Sequence, residues 1–241
     1  MGHPLIVRAV LGSLGLASCV ALLSGVARAA DAAGIPSPIV VSANAPAAGP
    51  QLFGMDTVPI RPAQYYDDWE RARRDASRNP QLRQLIAPAR DLLPDQQIFY
   101  VQAAVPRLIR WRSDATEWGA HDYWASADET LQHGYGDDED RAIVKMQALL
   151  ALGFSARNLY LTMGHDKVGG QVVVLIVRHK SRYYVLDDTG GAPFTTDRRP
   201  EFRPILTFGY GGFWIHGRRV PSVTPRVAAT VGASTGGRNS R

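Results

Sequence analysis

Apolar positions in this chain recur at helical spacing through the first part of the sequence and at strand spacing after Gly153. Between residues 64 and 77, Tyr65, Trp69 and Ala72 stand at helical intervals among Asp and Arg, which predicts an amphipathic helix with its aromatic side inward. A second short helix is predicted from Gln81, ending before Pro94. A third is predicted over 95–109, with Ile98, Val101 and Val105 apolar and Pro106 marking its first turn or a kink. Residues 111–127, including Trp118, His121, Asp122, Tyr123 and Trp124, follow no period; a long irregular aromatic segment of this kind fits a packed loop beside a site. A helical turn over 128–132 is closed by Gly134 and Gly136. Helix formers then run from Glu139 to Leu152, with Ala142, Ile143, Met146, Leu149 and Leu150 sharing one face and Gly153 as the stop.

Beyond Gly153 the residues become β-branched and aromatic. Strands are predicted over 159–163, 171–178 and 183–187, the last two close enough to form an antiparallel hairpin, and over a glycine-containing segment, 207–214. Helices first and strands afterwards define an α+β domain spanning residues 52–219, with N-terminal helices packed on an antiparallel β-sheet. The ends read differently. Residues 1–29 carry Arg8, an apolar run and a small-x-small site at Ala27-Arg28-Ala29, the pattern of a cleaved secretory signal. Residues 30–51 form an Ala/Pro/Ser/Gly linker and 220–241 a polar, disordered tail. The alternative at the N-terminus is lipidation at Cys19, preceded by Leu16-Ala17-Ser18, although the apolar run continues past that cysteine.

Composition narrows the chemistry. The single cysteine, Cys19, lies in the signal, so disulfides, cysteine-bound zinc and thiol catalysis are excluded from the processed chain. Export without disulfides fits a bacterial periplasm, and a monomer with no transmembrane segment after cleavage is expected. The formal charge of +5 is mild and partly placed in the tail, with no basic stripe interleaved with aromatics, which argues against a nucleic-acid partner. The densest chemistry is Gly136-Asp137-Asp138-Glu139-Asp140, a run of acids at a predicted helix N-terminus. Two readings stay open for it: a helix start whose dipole and free N–H groups favour negative charge, or hard oxygen ligands for calcium, without EF-hand spacing.

The order Trp118-Gly119, Asp122-Tyr123-Trp124-Ala125, Glu129-Thr130-Leu131, Gly136 to Ile143, Val185-Leu186-Asp187 and Trp214-Ile215-His216-Gly217 resembles the bacterial transglutaminase-like cysteine peptidases. The resemblance implies a papain-like fold, in which a helix carrying the nucleophile packs on an antiparallel sheet carrying histidine and aspartate. It places Asp138 at the cysteine position. Counting back from Val177-Arg178, it places Val172 at the histidine position, or Gln171 at an offset of one, and it matches Asp187 to the retained aspartate. It also implies calcium held by Asp137, Glu139 and Asp140. Thiolate chemistry at a helix N-terminus needs both the thiol and a base, and here both are replaced. His165 is expected in an exposed turn, and His121 and His216 are expected to pack or hydrogen-bond rather than act as bases. The expectation is a pseudoenzyme that binds a peptide or protein partner, possibilities beside it being a chain without a selected role and a hydrolase using Asp138 and Asp187 as a carboxylate pair.

Overall fold

The computed structural model describes residues 49–217, apart from 62, 121, 199 and 200. The signal, most of the linker, Cys19, His121 and the tail from residue 220 lie outside the described residues. Six α-helices are described: α1 (Tyr66–Ala72), α2 (Pro80–Ile86), α3 (Pro94–Leu108), α4 (Asp114–Glu117), α5 (Ala127–His133) and α6 (Asp138–Ala151). The strands are β1 (Asp56–Ile60), β2 (Arg110–Trp111), β3 (Tyr135–Gly136), β4 (Leu159–His165), β5 (Gln171–His179), β6 (Arg182–Leu186), β7 (Phe194–Thr195), β8 (Arg203–Gly209) and β9 (Gly212–Gly217). A seven-stranded sheet runs β1-β9-β8-β4-β5-β6-β7 with every neighbouring pair antiparallel, and β2 and β3 make a separate parallel pair. The α+β architecture is the expected one.

Local chemistry explains the helix boundaries. Ser126 caps α5 by accepting from Glu129 N–H while the Glu129 carboxylate takes Ser126 N–H, and Gly134 ends that helix in the left-handed region. Pro106 falls in the last turn of α3, not its first. Helix α6 departs from its predicted amphipathic form. Every residue from Glu139 to Leu149 is buried, because α2, α3 and α5 surround it and β4 and β5 lie beneath.

Strand alternation divides the sheet into two faces. On β5, Val173, Leu175 and Val177 join the core shared with α6, while Val174 and Ile176 join Leu52, Tyr160, Val185, Phe202 and Trp214 in a second core on the far face. Both faces are covered, so β5 reads as a near-continuous apolar run. The far face is covered by the chain entering the domain. Leu52 is fully buried and Pro50 is buried, and a Cβ on Gly49 would lie 2.2 Å from the Trp214 ring. The last residues of the predicted linker are thus part of the packed domain. The predicted strand over 207–214 is a hairpin: β8 and β9 turn at Tyr210 and Gly211, with Gly209 paired to Gly212. The β5–β6 hairpin turns through Lys180 and Ser181, both at positive φ (48° and 61°), the hand that a two-residue hairpin requires.

Polar groups on the far face are tied into a short chain. Thr162 Oγ1 lies 3.0 Å from Thr207 Oγ1, which lies 2.7 Å from His216 Nε2, while His216 Nδ1 is buried with no hydrogen-bond partner among the described residues. Burial pulls the imidazole down from 6.5 to about 4, so the folded state keeps it neutral where the unfolded chain binds a proton. Its contribution is complete above pH 6.5, is lost as pH falls toward 4, and amounts to about 3 kcal/mol. Urea unfolding of His216→Gln beside the native protein, from neutral pH to about pH 4, should show a shallower acid loss for the variant by about this amount. Parallel acid limbs for the two proteins would contradict the assignment.

Candidate functional site

The parallel pair of β2 and β3 delivers the chain to the start of α6. Gly136 is the last residue of β3, and a Cβ there would stand 2.6 Å from Asp140 Cβ and 2.8 Å from Asp140 Oδ2, so only glycine fits. Asp137 is the N-cap residue of α6 yet makes no side-chain cap. The simple capped start is not what forms: the Asp137 carboxylate turns instead to the N–H of Asp114 and to Glu139. Asp140, wholly buried, accepts Ala125 N–H at 2.9 Å and the N–H of Asp137.

Six acids meet here. Carboxylate oxygens within 4.8 Å of one another are offered by Asp114, Asp137 and Asp140, by Asp114, Asp122 and Glu139, and by Asp137, Asp138 and Glu139. Desolvation dominates their protonation. It drives Asp140 to about 9, with the Asp137 charge adding to it, and Asp138 to about 6, and it raises Glu139 and Asp137, reinforced by Asp138 and Asp114 respectively. The helix dipole, worth about 0.3–1 kcal/mol to an exposed charge, is too weak to offset a desolvation cost of several kcal/mol per ion.

The donor set fits a calcium ion. All ligands are hard oxygens, oxygens sharing one ion at about 2.4 Å lie no more than about 4.8 Å apart, and Asp137 Oδ1 and Asp140 Oδ2 are buried without a hydrogen-bond partner among the described residues. The groupings add residues to the sequence reading: Asp137 and Asp140 are joined by Asp114 of α4, and Glu139 is grouped with Asp114 and Asp122 and with Asp137 and Asp138.

Asp138 opens α6 and points at the sheet. Its Oδ2 accepts the backbone N–H of Val173, just beyond Leu175, where the β5–β6 pairing stops. Val172, the residue expected to face the helix, packs on the far-face core instead, and Val173 is the β5 residue on the α6 side. The one-residue difference follows from the period of two along a strand, which exchanges faces at every step. Gln171, the other candidate, is exposed.

Asp187 lies at the end of β6, and its Oδ1 accepts Gln102 Nε2 at 3.1 Å, Thr189 N–H at 3.2 Å and Thr189 Oγ1–H at 2.7 Å. The Asp188 charge helps to raise Asp138. Two buried cations of α6 moor the same segment. Lys145 Nζ donates to the Asp187 carbonyl and is pulled down to about 8 by burial, and Arg141 Nη1 donates to the Asp188 carbonyl at 3.2 Å. His165 hydrogen-bonds the Gly169 carbonyl at 3.3 Å and borders a surface pocket of about 430 Å³ to which none of the α6 acids contributes. Among the described residues, the groups acting on Asp138 include Val173 N–H, its own N–H, Asp188 and Glu139, with Arg141 also interacting with its charge.

Sequence reasoning missed Asp114, Gln102, Arg141, Lys145 and Val173. A signal existed for two of them: Asp138, Arg141 and Lys145 stand at i, i+3 and i+7, one stripe of α6.

The family model of the bacterial transglutaminase-like cysteine proteinases matches residues 56–192, more than half of the chain, and the chain belongs to that family. Calcium-bound Legionella pneumophila LapG is 25% identical over 59% of this chain and 80% of its own, with a TM-score of 0.50. The EGTA-treated form of LapG superposes with a TM-score of 0.51 at 22% identity, over 68% of this chain and 90% of its own. No curated protein matches. The segment matched by this family of cysteine proteinases contains no cysteine.

The tie from Asp138 to the sheet has a measurable strength. Asp138→Asn and Asp138→Ala both delete the charge, but only Asn keeps an acceptor for the Val173 N–H. Denaturant melts of the two should place the alanine variant about 1–3 kcal/mol below the asparagine variant. Equal stabilities would show that the contact contributes nothing.

Proposed function

We propose that this protein is an exported, non-cleaving member of its family that binds a peptide or protein segment at the start of α6 and is stabilised by calcium. One observation carries the reading: the residue opening α6 is an aspartate whose carboxylate is engaged by a strand N–H, in a matched segment without any cysteine. The Asp138 carboxylate is engaged by the Val173 N–H and is not a thiolate, the nucleophile on which cysteine peptidase chemistry depends. The proposed carboxylate pair with Asp187 finds no support, since Asp187 is taken up by Gln102 and Thr189.

Calcium would be held by Asp114, Asp137 and Asp140, with Glu139 adjoining, and would supply the positive charge that these buried acids lack. That a LapG structure is calcium-bound supports this assignment. The acids themselves do the rest: they hold α4, β3 and the first turn of α6 together, and they exclude a nucleophile from that turn. The signal-like segment over 1–29 supports export to a periplasm, and no described helix is long and apolar enough to cross a membrane.

Two expected outcomes test the reading. Calcium should raise the melting temperature, by about 2.7 kcal/mol of stability at a hundredfold excess over Kd, and release protons as it displaces them from the raised carboxyls. Asp140→Asn should abolish that increment; an unchanged melt on adding calcium to the native protein would remove the metal from the proposal. The native protein should leave candidate peptides uncut. Asp138→Cys with Val173→His should create an iodoacetamide-reactive thiolate at mildly acid pH, whereas Asp138→Cys with Val172→His, its imidazole on the far face, should not. Cleavage by the native chain that Asp138→Ala abolishes would overturn the non-cleaving reading.

A further inference from the structure

The start of α6 lies between two segments joined by one side chain. Arg141 donates to the carbonyl of Ile109 through Nε at 3.2 Å and Nη2 at 2.9 Å, and through Nη1 at 3.2 Å to the carbonyl of Asp188. Ile109 immediately precedes β2, so β2 and the loop after β6 flank the first turn of the helix. Of these two, β2 has an edge to which no strand is paired among the described residues. Arg110 N–H bonds Gly134 O at 2.9 Å and Arg112 N–H bonds Gly136 O at 3.1 Å, which turns residues 110 and 112 toward β3. In a parallel ladder alternate residues face the partner strand, so Trp111 directs its N–H and C=O to the opposite edge. No third strand continues that sheet among the described residues.

The edge is only partly guarded, β2 being short and carrying Arg110. Charge is the usual protection for an open edge, but between Arg110 and Arg112 stands an indole 47% exposed, with Leu108 nearby at 43%. The two arginines lie on the other side of the strand, both over the Tyr135 ring. Arg112 is paired with Glu117, whereas Arg110 makes no ion pair with a carboxylate among the described residues.

Building on the non-cleaving, peptide-binding reading, we propose that the free edge of β2 is a docking strand for an extended segment of a partner protein in which acidic and apolar residues alternate. The main chain of that segment pairs with Trp111 N–H and C=O, an acidic side chain stands across from Arg110, and an apolar one packs on the Trp111 indole. The segment then lies beside the Asp138 turn, about one strand spacing, roughly 4.8 Å, beyond β2. Nothing in this arrangement asks for a reacting group, in keeping with an α6 that offers none.

The test uses the full processed chain, isotope-labelled, titrated with a short blocked peptide alternating aspartate and valine, with a lysine–valine peptide as its counterpart. Binding of the acidic peptide should slow exchange of the Trp111 amide at least about tenfold, and Trp111→Ala and Arg110→Glu should each weaken it about tenfold. Trp111 is half-exposed, so its loss leaves the core intact, and the amide measurement needs no variant at all. No binding, binding that leaves the Trp111 amide unprotected, or equal binding of the lysine–valine peptide would each overturn the docking strand. Mass analysis of the recovered peptide separates the two readings. A cut peptide with a protected Trp111 amide strikes the non-cleaving reading alone, and an intact peptide with an unprotected amide strikes the docking strand alone.

Discussion

Burying a helix on every side obliges its polar residues to find partners inside the protein, and the functional end of this domain is organised around that obligation in α6. An unpaired buried charge costs several kcal/mol, more than any single contact regains. Each polar residue on α6 therefore fixes something else in place. Asp138 takes a strand N–H, Arg141 and Lys145 take backbone carbonyls beyond β6, and Gln147 Nε2 reaches the Ala72 carbonyl at the end of α1. Asp137 and Asp140 are only partly satisfied this way: each keeps one buried oxygen without a hydrogen-bond partner among the described residues, within a group of acids close enough to share an ion. Structural support and candidate metal site are two results of one burial.

How much of this could be read from the sequence depended on whether the cause was local. Gly153 and Gly134 mark helix ends because a left-handed residue is a local need, and the hairpin of β5 and β6 follows from β-rich runs two residues apart. The hairpin at Tyr210 was missed since its glycines were read as part of one strand, although Gly209 and Gly212 bracket the turn. The strand β1 was not anticipated: its partner among the described residues, β9, lies about 160 residues away in sequence, a pairing that no local pattern announces. The acid cluster was visible at Asp137 to Asp140, but Asp114 was not, because α4 is brought to it by the fold. The resemblance points to Val172 or Gln171, whereas the β5 residue on the α6 side is Val173, because a count from a distant motif does not fix strand phase to within one residue.

A carboxylate at the first position of a buried helix is not a neutral choice. Burial and nearby acids work against it, and Asp138 is raised to about 6 as a result. The Val173 N–H offers partial compensation, available because the β5–β6 ladder ends at Leu175 and leaves a donor for a side chain to use. The contact joins helix and sheet at the first turn of α6. His216 illustrates a different case: a histidine within a family-like motif whose surroundings make it a neutral packing group on the opposite face.

The bond pattern of Arg141 has a mechanical consequence. A rigid, planar guanidinium that grips Ile109 on one side and Asp188 on the other works as a strut, and widening the gap between those segments would strip hydrogen bonds from a buried cation. The spacing of the two segments that flank the head of α6 is therefore set by one side chain and has little compliance, so residues 109 and 188 move as a unit with the first turn of the helix.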